Sequence, residues 1–114
     1  MTTALQDAAT ELVEACGTRE DITPLLQGWH VRIELQPVDH DDTVSFLVAA
    51  GTVALANGDD GSVRRVTIEA EGGLLTGILE GAVDAAGAYL DGLIEVDGDP
   101  EDLVRLDIVV DQLW

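Results

Sequence analysis

The sequence contains no lysine, and its five basic residues are all arginines, against 23 aspartates and glutamates. The formal net charge is therefore −18 at pH 7. A protein that binds duplex nucleic acid needs a basic surface to neutralise phosphates, so this composition excludes nucleic acid as a partner. The acidic residues are spread along the chain, which is typical of a solvated surface and not of an acidic tail.

We interpret this dispersed acidity as adaptation to a salt-rich cytoplasm, such as that of a halophilic archaeon. A folded domain with so large a net charge repels itself at low salt. Molar salt shortens the screening length to roughly 3 Å and removes most of that repulsion. The alternative interpretation is an acidic surface that binds a basic partner.

Cysteine and long apolar runs are also scarce. Cys16 is the only cysteine, so it cannot form an internal disulfide, and its place on an apolar helix pattern predicts a core residue. No apolar stretch reaches bilayer length, and the first residues lack the basic and apolar regions of a signal peptide. We therefore expect a cytoplasmic protein without stable membrane insertion. A chain of 114 residues, 46% of them hydrophobic, is long enough for a single globular domain over 1–114.

No group of residues has the pattern of a catalytic or cofactor site. Ser45 and Ser62 lack the context of a nucleophile elbow, and no Gly-Lys-Ser/Thr follows the double glycine at 72–73. The run Asp-His-Asp-Asp at 39–42 is the densest group of possible metal ligands. It lacks the glycine and the terminal glutamate of an EF-hand loop, so we interpret it as a solvated turn. We expect no catalytic residues, no metal, no cofactor and no enzymatic activity.

Hydrophobic periodicity predicts ten elements of secondary structure. The clearest strand is Trp29 to Gln36, where apolar and polar residues alternate. Gly17 has the position of a C-terminal cap glycine, which predicts that the first helix ends at about Cys16. The predicted elements are helices at 3–16 and 18–28, strands at 29–36, 43–50, 52–56 and 63–71, helices at 74–81 and 83–90, a strand at 93–96 and a helix from residue 100 to the end.

This order predicts an α+β domain in which helices cover a largely antiparallel five-stranded sheet. Short polar or glycine-containing turns separate the first three strands, so we expect them to form an antiparallel meander. Asp99 and Pro100 are residue types favoured at a helix N-cap and first turn, which predicts where the last helix begins.

The region from Val63 to Asp99 resembles the second half of a sterol carrier protein 2-like domain, here a haloarchaeal-type member of that family. The resemblance rests on the order of strand, double glycine, two short helices, strand and closing glycine with an acid. The strands from Trp29 to Ala56 are similar to the family's first strands. The residues that follow the family spacing are Leu74, Leu75, Ile78, Leu79, Gly81, Asp84, Ala85, Ala88, Tyr89, Leu90, Gly92, Gly98 and Asp99.

The resemblance implies a lipid carrier with an apolar tunnel between the sheet and the helices, which the C-terminal helix helps to close. An apolar lining with few polar groups is what a lipid site requires. The same residues would form the core of a domain with no cavity, and the sequence leaves both alternatives open. The implied wall residues are Phe46, Val48, Leu75, Ile78, Leu79, Tyr89, Leu90, Leu106, Val110, Leu113 and Trp114.

Two features modify the ligand that the resemblance implies. Archaeal lipids are isoprenoid ethers, so we expect an isoprenoid or acyl chain rather than a sterol. Leu93 and Glu95 occupy sites that are often basic in the family, which argues against contact with anionic lipid head groups. The expected partner is an apolar small molecule or lipid. The alternative is a non-enzymatic accessory or protein-interaction domain without a tunnel, acting for example as a homodimer.

Overall fold

The computed structural model describes residues 4–41, 43–56 and 64–114. The predicted order of two helices, four strands, two helices, a strand and a helix is confirmed. Residues 3 and 63 of the predicted elements, together with Asp42 and Ser62, lie outside the described residues. The elements are α1 (Ala4–Thr18), α2 (Thr23–Leu26), β1 (Val31–Pro37), β2 (Val44–Ala49), β3 (Thr52–Leu55), β4 (Arg65–Ala70), α3 (Gly72–Leu79), α4 (Ala85–Leu90), β5 (Glu95–Asp97) and α5 (Pro100–Leu113).

The strands form one sheet in the order β3-β2-β1-β4-β5. β1, β2 and β3 are antiparallel neighbours, as the meander predicts, with Ile33 opposite Phe46 and Phe46 opposite Leu55. β4 lies on the other side of β1 and runs parallel to it, with Val66 opposite Ile33, and β5 is antiparallel to β4. The largely antiparallel sheet is therefore confirmed, and the β1–β4 pair makes it a mixed one.

One apolar core lies between the sheet and the helices. Alternation along β1 places Val31, Ile33 and Leu35 on the buried face, and all three are almost completely shielded from solvent. α1 packs against α3 and β3, while α5 packs against α4, α1, α3 and β5. Trp29 and Phe46 are among the largest fully buried side chains, so the centre of the core is aromatic.

The first helix extends two residues beyond its predicted end at about Cys16, and Gly17 is not its cap. Gly17 does not adopt the left-handed conformation that a cap glycine has, and α1 continues through Thr18. The backbone N–H of Arg19 still donates to the Ala15 carbonyl at 3.1 Å. Because the helical bonds run past the glycine, the second helix is shorter than predicted and has Pro24 in its first turn.

The last helix begins where the sequence predicts. Asp99 is its N-cap, and the carboxylate of this residue accepts a hydrogen bond from the Glu101 N–H at 3.0 Å. Pro100 occupies the first turn, where its missing N–H costs nothing. Glu101 and Asp102 place negative charge at the positive end of the helix dipole. α5 therefore starts at a well-formed cap and runs to Leu113.

Candidate functional site

The interior between α1, α5 and the sheet is closed. A void of about 10 Å³ lies there, whereas a water molecule needs at least about 10–15 Å³. Side chains therefore fill the position expected for a ligand tunnel. The void is lined by apolar and aromatic residues, which are Leu12, Cys16, Leu26, Trp29, Ile33, Phe46, Val48, Val53, Leu106 and Val109.

The structure divides the predicted tunnel wall into three groups. The residues that meet at the void are Phe46, Val48 and Leu106. The residues that are buried elsewhere in the core are Leu75, Ile78, Leu79, Val110 and Leu113. The residues that lie at the surface are Tyr89, Leu90 and Trp114.

The contribution of α1 to this wall was not predicted. Leu12 and Cys16 supply it, and the helical spacing of apolar residues from Leu5 to Cys16 is the signal that could have identified it. Burial raises the pKa of the Cys16 thiol to about 11. The thiol therefore stays protonated near neutral pH and behaves as an apolar wall residue. The other lining residues that were not predicted are Leu26, Trp29, Ile33, Val53 and Val109.

An open groove of about 280 Å³ lies at the β3 edge of the sheet. We call it the α1–β3 groove. None of the described residues that line it carries a charge. Its floor is apolar and its rim carries hydroxyl and amide groups; the lining residues are Gln6, Ala9, Thr10, Thr43, Val44, Ser45, Leu55 and Ala56.

The first half of α5 is fastened to the rest of the domain by a buried polar group. Asp102 is 2% exposed and accepts hydrogen bonds from the Trp29 indole and from Arg64, both at 2.8 Å. Its second carboxylate oxygen is buried with no hydrogen-bond partner among the described residues. Arg105 lies 4.9 Å from the centre of the Trp29 ring and donates to the Leu25 carbonyl. A cation over an indole face is stabilised by a cation–π interaction. Two side chains of α5, Asp102 and Arg105, therefore hold this helix to Trp29.

The C-terminal end of α5 is fastened as well. Arg19 donates to the carbonyls of Gln112 and Leu113, each at 3.3 Å, where a cation meets the negative end of the helix dipole. The indole N–H of Trp114 donates to the Leu79 carbonyl at 2.8 Å. Polar contacts therefore hold α5 at both ends, and Trp114, although 56% exposed, is docked against α3.

Two aspartates face each other in a pocket of about 530 Å³ beside α4 and α5. Burial and a hydrogen bond with Asp84 raise the pKa of Asp107, which also accepts a hydrogen bond from the Ala85 N–H at 3.1 Å. Both causes disfavour the charged form of the Asp107 carboxyl. Within the described ranges, no cluster of three or more histidine, cysteine or acidic side chains could hold a metal ion.

The turn at 39–41 caps a helix. The Asp39 carboxylate accepts a hydrogen bond from the Gly72 N–H at 2.9 Å, at the start of α3, and this bond lowers the pKa of Asp39. His40 packs close beside the same glycine. Because Gly72 lies at the corner between β4 and α3, these side chains define how the chain turns from the sheet into the helix.

An apolar surface lies at the end of α4, which we define by Tyr89, Leu90 and Leu93 and call the α4 surface. Leu90 is 83% exposed and Leu93 is 59% exposed. Val38 and Leu93 contribute to a shallow groove of about 340 Å³ that is otherwise rich in glutamate. In the part of the chain that the structure describes, no helix has both the length and the apolarity to cross a bilayer.

Comparison with solved structures relates this fold to sterol carrier proteins. The UbiJ-SCP2 ubiquinone synthesis protein superposes with a TM-score of 0.78 at 12% identity, over 96% of this chain and 95% of that chain. The sterol carrier protein domain 2 of Helicoverpa armigera superposes with a TM-score of 0.62 at 15% identity, over 96% and 87% of the two chains. A conserved hypothetical protein of Thermus thermophilus, described as possibly a sterol carrier protein, has a TM-score of 0.61 at 17% identity, over 99% and 90%.

No protein-family model and no curated protein matches the sequence. The structural similarity at these low identities shows the fold alone. The chain therefore has the fold of a sterol carrier protein 2 domain, as the resemblance in its second half predicted.

Proposed function

We propose that the chain is a small binding domain for an apolar ligand, such as a lipid, and that it has no enzymatic activity. The supporting observation is the interior wall, in which every described residue that lines the void is apolar or aromatic. Long hydrocarbon chains prefer such an environment to water. Several solved structures with this fold are named as sterol carrier proteins, which supports the same class of ligand.

Binding requires the interior to open. Ligand sites usually have a volume of about 300–1,000 Å³, and the void has about 10 Å³. Each buried methylene contributes about 0.8 kcal/mol, so about twelve methylenes contribute roughly 10 kcal/mol before the costs of association and opening are subtracted. The apparent affinity falls in proportion to the fraction of molecules that are open. We therefore expect long chains to bind and short chains to fail.

The proposed ligand is an isoprenoid or acyl chain rather than a sterol. A flexible chain can enter by displacing one layer of side chains at a time. The fused rings of a sterol are rigid, so the interior would have to open to the full width of the ring system in a single step. Trp29 and Phe46 both line the void and are among the largest fully buried side chains. A full-width opening would separate the most tightly packed part of the core, which makes it the more costly of the two openings.

We propose that the dispersed acidic residues are an adaptation to a salt-rich, archaeal-type cytoplasm and do not take part in ligand binding. Each of the five arginines contacts an acidic side chain, a carbonyl group or an aromatic ring within the domain. Five arginines can neutralise only a minority of the charge on 23 acidic residues. For this reason the experiments below use protein in molar KCl.

The test of ligand binding uses Trp29 as a reporter. A Trp114→Phe variant has Trp29 as its only tryptophan, and this residue lines the void. We expect uncharged linear alcohols to change its emission, with an affinity that rises with chain length, and native mass spectrometry to show the added mass. Leu93→Ser, on the distant α4 surface, is the matched control and should bind equally well. A protein that carries no extractable lipid and responds to no chain length would contradict the proposal.

A protein-interaction domain with a filled interior is the second candidate. Two observations favour it, namely the closed void and the exposed α4 surface. Contiguous exposed apolar residues often mark interaction sites in soluble proteins, and a second copy of the chain is the simplest partner. Sedimentation of the native protein and of a Leu90→Ser, Leu93→Ser variant tests this. A dimer that the double substitution dissociates, in a protein that takes up no chain, would favour this candidate over the first.

A further inference from the structure

The α1–β3 groove and the interior void are two consecutive layers of the same three elements. On α1, Ala9 lines the groove and Leu12, one helical turn later, lines the void. On β2, Val44 lines the groove and Phe46 lines the void, on the same face of the strand. On β3, Leu55 lines the groove and Val53 lines the void, again on the same face of the strand. The groove residues Ala9, Val44 and Leu55 are therefore the neighbours along α1, β2 and β3 of the void residues Leu12, Phe46 and Val53.

We propose that the apolar ligand enters the interior through the α1–β3 groove and leaves an uncharged head group at its rim. This inference rests on the function proposed above and adds a route and a class of head group. The layer to be displaced is formed by Leu12, Phe46 and Val53. Val53 belongs to β3, a strand of four residues at the edge of the sheet, which among the described residues pairs with β2 alone. An edge strand breaks fewer backbone hydrogen bonds when it moves than a central strand does.

The contacts of α5 make the opposite route less favourable. Asp102 is bonded to Trp29 and Arg64 near the start of the helix, and Arg19 is bonded to carbonyls at its end. Moving α5 away from the sheet would break these bonds and expose the Trp29 indole N–H, a buried donor whose acceptor would be lost. The contact between α1 and β3, by comparison, includes the apolar residues Ala9 and Leu55 at the groove and Leu12 and Val53 at the void.

The groove rim favours an uncharged head group. Thr10, Thr43 and Ser45 have hydroxyl groups there. The Thr10 hydroxyl donates to the Gln6 carbonyl at 3.0 Å and can still accept a hydrogen bond, and hydroxyl groups such as those of Thr43 and Ser45 can both donate and accept. An anionic head group needs a cation, and the five arginines are bonded elsewhere in the domain. A carboxylate at this rim would lose part of its hydration without gaining an opposite charge. An uncharged alcohol loses far less hydration free energy at the same rim.

The test compares two substitutions on exposed aliphatic residues of similar accessibility. Leu55 in the groove is 46% exposed and Ile108 on α5 is 51% exposed. The probe is a conjugated polyene alcohol whose fluorescence rises in apolar surroundings, mixed with the protein by stopped flow in molar KCl. We expect Leu55→Trp to slow uptake by about tenfold, as a barrier raised by about 1.4 kcal/mol would. Ile108→Trp should leave the rate unchanged, and Leu55→Ser, which widens the groove, should raise it.

The second arm replaces the alcohol with the polyene acid of the same chain length at pH 8. We expect the acid to bind more weakly than the alcohol, and molar salt removes the long-range repulsion that would otherwise obscure this difference. If the wild type takes up neither probe, the proposed function fails. If it takes up the alcohol and Leu55→Trp does not slow uptake, or Ile108→Trp slows it equally, the route is refuted. Equal affinity for the acid would refute the uncharged head group alone.

Discussion

Replacing Gly81 with alanine should displace Trp114 from the turn that follows α3. Gly81 has a φ of +79°, a region that L side chains rarely adopt. A Cβ atom added there would lie 2.9 Å from Cδ1 and 3.0 Å from Cβ of Trp114. The substitution therefore has two effects, since it strains the backbone and pushes the indole away from its hydrogen bond with the Leu79 carbonyl.

Gly92 provides a control that separates these two effects. Its φ is +76°, and a Cβ atom added there would meet nothing within 4 Å. Gly92→Ala should cost only the backbone strain, about 1–2 kcal/mol. Gly81→Ala adds the loss of a hydrogen bond, about 0.5–1.5 kcal/mol, and of part of the indole packing, for a total of about 2–4 kcal/mol. The lower entropy of unfolded alanine offsets both values by a similar amount, so their difference of about 1–2 kcal/mol is the informative quantity.

The assay is urea unfolding in molar KCl, together with tryptophan emission of the native state. We expect Gly81→Ala to shift the Trp114 emission to longer wavelength and Gly92→Ala to leave it unchanged. In a Trp114→Ala background the two glycine substitutions should cost the same free energy of unfolding. Equal costs in the wild-type background, or a difference that survives the removal of Trp114, would refute the contact between Trp114 and this turn.

Two further predictions concern buried or paired acidic residues. The pKa of Asp107 is higher in the folded than in the unfolded protein, so the ionised carboxylate lowers the free energy of unfolding at a pH above the folded pKa. This loss of stability disappears as the pH falls from the folded pKa to the ordinary pKa of an unfolded aspartate. Asp84→Asn should therefore raise the free energy of unfolding at neutral pH, by an amount that shrinks in acid; a pH-independent gain in urea titrations would contradict this. Asp102→Ala should lower stability by about 2–3 kcal/mol, because it leaves the Trp29 indole N–H buried without an acceptor. Arg64→Ala should also lower stability, because it removes the cation that pairs with the buried Asp102 carboxylate. Thermal unfolding that shows no loss for Asp102→Ala would argue against the buried hydrogen bond to Trp29.

Local sequence patterns predicted the elements because each pattern reflects a local physical requirement. Alternation from Trp29 to Gln36 identifies β1, since only an extended chain puts every second residue on one face. Asp99 and Pro100 identify the start of α5 through capping chemistry that involves neighbouring residues only. Gly17 shows the limit of this reasoning, because a glycine that could end a helix remains helical where the chain continues to make helical bonds through Arg19.

The arrangement of the elements and the state of the interior depend on contacts between distant residues. Nothing near β4 in the sequence indicates that it pairs with β1 in parallel, with Ile33 opposite Val66. Likewise, Trp29, Arg64 and Asp102 are far apart in the chain and meet only in the folded domain. Whether Phe46 lines a tunnel or fills the core depends on helix positions within a few ångströms, and the apolar pattern is the same in both cases.

The placement of the arginines supports the proposed entry route at the α1–β3 groove. Arg19, Arg64 and Arg105 all fasten α5. Arg32 pairs with Glu34 within β1, and Arg65 pairs with the same carboxylate across the β1–β4 contact. In a chain with five cations and no lysine, these bonds concentrate the electrostatic stabilisation on α5 and the centre of the sheet. The layer of Leu12, Phe46 and Val53, by contrast, is held by apolar packing, which an entering hydrocarbon chain can replace with contacts of the same kind. In the proposed entry route, a hydrocarbon chain would exchange one apolar contact for another and would leave no buried charge unpaired.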